Sequence, residues 1–301
     1  MSLADTLPNP EVAKPASDAP VRPFYWRLRC EIWDNRSLYV APLITGGLIV
    51  FGFIIGTSRS SGHVSGDFNL DAGGRAALSM MPYAGAALAV SATGLIVAAF
   101  YCLGALYNER RDRSVLFWKS MPVSDLTTVL AKVAIPLVVL PVIVFVITVA
   151  AQFLLMVIDT AALAGSGSPL AALWSHWPLG RMTLGLAWAL IAFSLWYAPV
   201  WAWLLLVSAW ARRAPFLWAV LPPLGLMLLE QVALGTHAVS RFIGGRVGGA
   251  FNNAFADAGR NQVPNPDPAS FFSDPGVYIG LVIAAILIAG AVWLRRSREP
   301  T

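Results

Sequence analysis

Residues 129–158 read VLAKVAIPLVVLPVIVFVITVAAQFLLMVI. So long and apolar a run exceeds the ~20 residues that a helix rising 1.5 Å per residue needs to cross a hydrocarbon layer about 30 Å thick. Pro136 and Pro141 remove two backbone donors, so the helix must bend or break. In lipid that is tolerated only where neighbouring groups or water satisfy the freed carbonyls. The segment predicts a kinked membrane-spanning helix, and the rest of the chain is read outward from it.

Composition agrees. Of 301 residues, 57% are hydrophobic and 12% charged, with 12 Trp, 15 Phe and a mean hydropathy of +0.66. A typical soluble domain has roughly 45–50% apolar and about 25% charged residues. The apolar residues lie in long unbroken runs rather than short alternating segments, which predicts a helical membrane protein and not a β-barrel. Six spans are expected, at about 38–57, 83–107, 129–158, 182–210, 214–234 and 276–294, with the fourth bent near Pro199. The fold class is thus all-α, a polytopic membrane protein. Residues 1–23, with five prolines and no signal-peptide core, are expected to form a disordered tail. Residues 24–37, FYWRLRCEIWDNRS, mix aromatic and charged side chains as an interfacial amphipathic helix does. Residues 295–301 form a short second tail. Cys30 and Cys102 make no disulfide framework.

The net charge of +5 follows the spans and carries no nucleic-acid signature. Placing both tails, the 108–128 connection with Lys132 just beyond it and the Arg212–Arg213 turn on one side collects 15 of the 21 Lys and Arg there, leaving Arg59, Arg75, Arg181, Arg241, Arg246 and Arg260 opposite. By the positive-inside rule both termini are expected in the cytoplasm, as in a multi-pass protein of a cell membrane, here a bacterial inner membrane. The three-span halves differ in loop length, proline placement and charge, so no inverted repeat is visible.

Catalytic motifs are not found. No lysine follows a glycine, so the phosphate-cradling loop is missing. His63, His176 and His237 are far apart and unsuited to one metal, and neither G-x-S-x-G nor H-E-x-x-H occurs. No catalytic or metal-binding residue is therefore assigned. The densest local signal is 108–124, NERRDRSVLFWKSMPVS. Glu109, Arg110, Arg111, Asp112 and Arg113 precede the apolar Val115, Leu116, Phe117 and Trp118, and Pro122 forces Met121 out of the helical region. The stretch suits a short helix under the membrane. It is either a positively charged anchor with an interfacial Trp or a docking helix for a soluble partner.

Glu109, Arg110, Ser114, Phe117, Trp118, Lys119, Ser120, Met121, Pro122, Val123, Ser124 and Lys132 resemble the stretch between the second and third spans of type-2 permeases of ATP-binding cassette (ABC) transporters. The six-span layout, the helix before the first span and the long connection after the fifth resemble that family too. Asp112 and Arg113 depart from it, since many members have a glycine there. The resemblance implies that 108–124 is a coupling helix seated in a soluble ATPase subunit, with ATPase-coupling contacts expected from Glu109 to Arg113, Phe117, Trp118, Lys119, Met121 and Pro122. It further implies a homodimer of permease chains around an export pathway. ATP and magnesium would be bound by the ATPase, with no cofactor in this chain. Largely apolar spans suit a lipid-like, peptide or amphiphilic drug substrate. The rival readings are an ion-coupled secondary transporter and a non-transporting scaffold or sensor subunit.

Two further features concern the pathway. Glu230 is an acid inside the fifth span, costly enough in lipid to be a functional candidate unless headgroups or water solvate it. After that span, 238–257 reads AVSRFIGGRVGGAFNNAFAD, with apolar residues recurring every three or four positions. Gly244, Gly245, Gly248 and Gly249 weaken a helix by about 1 kcal/mol each, yet form two overlapping G-x-x-x-G spacings suited to close helix packing. The segment is either a helical gate beside Glu230 or an outer loop. The six Trp and Tyr residues of the fourth span read as packing and interface belts. The layout predicts that tags at either terminus are protected in right-side-out vesicles, while Ser166→Cys and Asn265→Cys react with an impermeant thiol reagent. External labelling of a terminus would overturn it.

Overall fold

The computed structural model describes residues 23–60, 72–112, 124–164, 179–250, 254–256 and 265–297. Residues 1–22, 298–301 and most of the coupling-helix segment (113–123) lie outside these residues, as do 61–71 and 165–178 in the connections flanking the second and fourth expected spans, whereas 295–297, expected in the second tail, continue the last helix.

The described chain consists of helices joined by short connections, apart from a two-residue antiparallel bridge, Phe255–Ala256 with Asn265–Pro266. In order the helices are α1 (Pro23–Asp34), α2 (Ser37–Ser60), α3 (Ala72–Ala105), α4 (Tyr107–Arg111), α5 (Asp125–Ala134), α6 (Leu140–Ala164), α7 (Leu179–Trp196), α8 (Ala198–Trp210), α9 (Pro215–Leu234), α10 (Ala238–Gly248), α11 (Pro268–Ser273) and α12 (Pro275–Ser297). Among the described residues five segments are long and apolar enough to cross a membrane, or six if α7 and α8, bent by 49°, count as one. Exposed Leu48, Phe51, Leu88, Phe100, Val146 and Ile286 lie on these helices, as expected of surfaces facing hydrocarbon.

Prolines shape the bundle. Ile135–Val139 forms a π-helical turn joining α5 to α6. Pro136 has no N–H to give the Lys132 carbonyl, so the α ladder is interrupted and one wider turn bridges the gap. The helix nevertheless continues, and Asp125–Ala162 is one segment of 38 residues. At 1.5 Å per residue it is roughly 57 Å long, well beyond the hydrocarbon thickness, so part of it projects past the apolar layer. Pro82 likewise lies within α3, which begins at Ala72 rather than near Tyr83.

The core runs along α3, α5, α6, α8 and α12 through buried Val90, Cys102, Val129, Leu140, Leu205 and Ala291. Where α3 crosses α6, a Cβ on Gly94 would stand 2.6 Å from a Val144 methyl. Only glycine permits that approach, the usual means of packing helices in lipid. By contrast α9 is loosely held, with Phe216, Leu217, Leu221, Leu228 and Val232 all exposed. Entry into α9 is strained, since Ala214 adopts φ 47°, ψ 62°. A left-handed conformation costs a non-glycine residue about 1–2 kcal/mol. Ala214→Gly should therefore stabilise the protein by about 0.5–1 kcal/mol after glycine's extra unfolded-state entropy, read as a higher Tm in detergent. A lower Tm would refute the strain argument.

Candidate functional site

One end of the bundle is held by charges. Helical spacing puts Arg27 and Glu31 of α1 one turn apart on the same side. Ser124 caps α5 by accepting the Thr127 N–H at 3.1 Å, starting the helix that carries Asp125 and Lys132. Lys132 is 2% exposed, and its Nζ lies 2.7 Å from Glu31 Oε1 and 3.0 Å from Glu109 Oε1. Arg27 reaches Glu31 at 3.1 Å and also pairs with Glu109. Arg295, near the end of α12, donates to Glu109 Oε2 at 2.7 Å and to Asp125 Oδ1 at 2.9 Å. Tyr101 of α3 donates its hydroxyl to Glu31 Oε2 at 2.9 Å. Three cations thus meet three carboxylates. Each ion alone would be costly to bury, whereas together they sum to zero charge and satisfy one another.

The same end holds a second clamp, made to backbone groups. Ser208 Oγ of α8 accepts the Leu106 and Tyr107 N–H groups at 3.0 and 2.9 Å, where α3 gives way to α4. Arg110 returns the contact, donating to the Ser208 and Ala211 carbonyls at 2.6 and 2.8 Å. These carbonyls close α8, whose end carries unpaired acceptors and partial negative charge, so a guanidinium is well placed there. Glu109 and Arg110, two of the expected coupling residues, are therefore engaged inside this chain. Arg111 and Asp112 are exposed. Arg113, Phe117, Trp118, Lys119, Met121 and Pro122 lie outside the described residues.

The opposite end is organised by Glu230 and Arg246. Glu230 accepts from Thr236 Oγ1 at 2.9 Å, from the Ala238 N–H at 2.6 Å and from the Val239 N–H at 2.9 Å. It thereby caps α10 from the preceding helix, and an anion at a helix N-terminus meets favourable partial charge. The turn that brings α10 back is Gly235, at φ 61°.

Arg246 of α10 is 5% exposed. It stacks over Trp196, 4.3 Å from the ring centroid, and donates to the Trp196 carbonyl at 3.2 Å as well as to the Gly276 carbonyl. The Trp196 acceptor is free because the Val200 N–H bonds Tyr197 instead, at the break preceding Pro199. Trp196 in turn donates from its indole to the Arg246 carbonyl at 2.9 Å, and the Tyr197 hydroxyl donates to Val247 at 2.9 Å. Burial lowers the Arg246 pKa from its ordinary value, and Asp274 opposes the shift. The break in α7–α8 is therefore satisfied by a side chain from α10, as irregular backbone in lipid requires.

The four glycines of interest separate. A Cβ on Gly244, Gly245 or Gly248 would meet open space, whereas one on Gly249 would collide with the Gly245 carbonyl. The G-x-x-x-G spacings therefore do not mediate a packed contact among the described residues.

Lys132, which the sequence offers only as part of the family resemblance, and Arg246, which it offers only as an outer-side charge, are both buried in the structure. Both are cations in segments rich in apolar or small residues, a visible signal whose partners come from distant parts of the chain. Among the described residues no group of His, Cys, Asp or Glu could hold a metal ion, and Cys30 and Cys102 are free.

Removing one member of the network should leave a buried charge uncompensated. Lys132→Met is expected to cost about 3–5 kcal/mol, read by thermal unfolding in detergent. Adding Glu109→Gln restores neutrality and should recover part of the loss, with a coupling of about 0.5–3 kcal/mol. Simple additivity would mean the two side chains act independently. Comparisons with protein-family models, curated proteins and solved structures find no match to this chain.

Proposed function

We propose that the chain is the membrane-spanning subunit of an ATP-driven exporter of the ABC type-2 kind, pairing with a second copy and with a soluble ATPase. In this reading α7 and α8 form one broken span, giving six, both termini face the cytoplasm of a bacterial cell, and residues 108–124 form the coupling helix. The observation that carries the proposal is the double anchoring of that segment. Glu109 lies at its start and Asp125 directly follows it, and Arg295 binds both. Lys132 joins Glu109 to Glu31 of α1, while Arg110 and Ser208 fasten the same turn to α8.

A push on residues 113–123 would accordingly reach α1, α3, α5, α8 and α12 through short, buried polar contacts. Nucleotide-driven closure of two ATPase subunits supplies that push, tilting the paired bundles so that a path between them opens outward. The cargo is a lipid-like, peptide or amphiphilic molecule, since the spans offer few polar groups. The chain itself performs no covalent chemistry, and ATP and magnesium belong to the ATPase. An ion relay is a poorer fit: Glu31, Glu109, Asp125 and Glu230 are each engaged by hydrogen bonds or ion pairs within the chain.

The test replaces Phe117 and Trp118 with Ala. Apolar interface anchors of this type are worth about 2 kcal/mol or more each. The wild-type chain should co-purify an ATPase and stimulate its turnover, whereas the double variant should fold, by its unchanged Tm, but lose both. Undiminished recovery and stimulation, or a wild-type chain that recruits no ATPase, would overturn the proposal.

A further inference from the structure

The charge network buries only one side of α1, and the other side carries its own arrangement. With 3.6 residues per turn, Trp26, Arg29 and Trp33 fall within an arc of about 60°. Glu31 and Asp34, the two acids of this helix, lie outside it. The Arg29 guanidinium carbon sits 5.4 Å from the Trp26 ring centroid and 4.7 Å from that of Trp33. The two indoles are 53% and 66% exposed. Among the described residues Arg29 makes no hydrogen bond or ion pair, so its N–H groups remain available beside two aromatic faces.

Position narrows the choice of ligand. Arg27 ties α1 to Glu109 of α4 and Glu31 ties it to Lys132 of α5, while Arg295, near the end of α12, binds the same Glu109. The helix therefore lies across the end of the bundle, where apolar segments give way to polar chain. Indoles partition to that depth in a bilayer, and the commonest anions there are lipid phosphates. A stacked guanidinium is held in plane and can give two parallel N–H bonds to phosphate oxygens. In a zwitterionic headgroup the phosphate is offset by its own ammonium, which a fixed guanidinium repels. An anionic headgroup carries no such offset.

We infer that Trp26, Arg29 and Trp33 form a binding site for the phosphate of an anionic phospholipid on the outward face of α1. The site requires only that the protein sit in a bilayer and is independent of the transport reading. Lipid seated here would touch the helix that contributes Arg27 and Glu31 to the buried charges.

Native mass spectrometry of the full chain, with phosphatidylglycerol or phosphatidylcholine of identical acyl chains, tests the site. A basic residue near an anionic surface favours it by about fivefold. The wild-type chain should retain phosphatidylglycerol by about that margin. Arg29→Gln and, separately, Trp33→Ala should bring it down to the phosphatidylcholine level, while Arg213→Gln should leave it unchanged. Equal retention of the two lipids by the wild-type chain, or undiminished preference in the Arg29 and Trp33 variants, overturns the proposal. A second measurement needs no variant: phosphatidylglycerol bearing a photoreactive headgroup, in liposomes with the wild-type chain, should label the peptide containing residues 25–33. Labelling confined to other peptides, or displacement of the lipid by an acidic peptide, would also refute it.

Discussion

Lys132 between Glu31 and Glu109 is the contact on which the rest of one end of the molecule depends. An ammonium at 2% exposure is sustained only by opposite charge close at hand, and both carboxylates need it as much as it needs them. Because Glu31 lies on the first helix, Glu109 after the third and Arg295 near the end of the last, mutual neutralisation fixes where those helices meet. In lipid, apolar burial gives helices little reason to choose one neighbour over another, since the surrounding tails are as apolar as the side chains. Charge pairing and close packing at Gly94 and Val144 supply that choice.

The other end meets a different constraint by similar means. At the break between α7 and α8, just before Pro199, the Val200 N–H bonds Tyr197 and leaves the Trp196 carbonyl without a helical donor. Arg246 supplies the donor and covers the indole of the same residue. Glu230 meanwhile satisfies the first N–H groups of α10, the helix that delivers Arg246. An acid in an apolar span, a proline break and a buried arginine are thus parts of one arrangement, and Glu230 has a structural task that accounts for its presence.

Much of the architecture is legible in the sequence because it depends on local composition. A run such as 275–297 has one stable form in hydrocarbon, a helix that pairs every backbone group internally. Hence α2, α9 and α12 lie close to where apolar content alone puts them. Helix ends are less legible: α3 begins before Pro82 rather than after it, since a proline in a packed membrane helix bends it without ending it. The site was read in part. The stretch at 109–112 stands out by charge density, yet charge density cannot tell Arg110, turned inward onto the end of α8, from Arg111, exposed to solvent.

Composition and periodicity determine that this chain is helical, apolar enough to span a membrane several times, and punctuated by proline at 136 and 199. These follow from the backbone's need for internal hydrogen bonds wherever water is excluded. Which charges meet is decided only in three dimensions. Glu31 lies 101 residues from Lys132 and Glu109 lies 186 from Arg295, and no local rule relates positions so far apart. Their pairing comes from antiparallel helices that bring distant segments to one end of the bundle, where each buried ion must find its opposite.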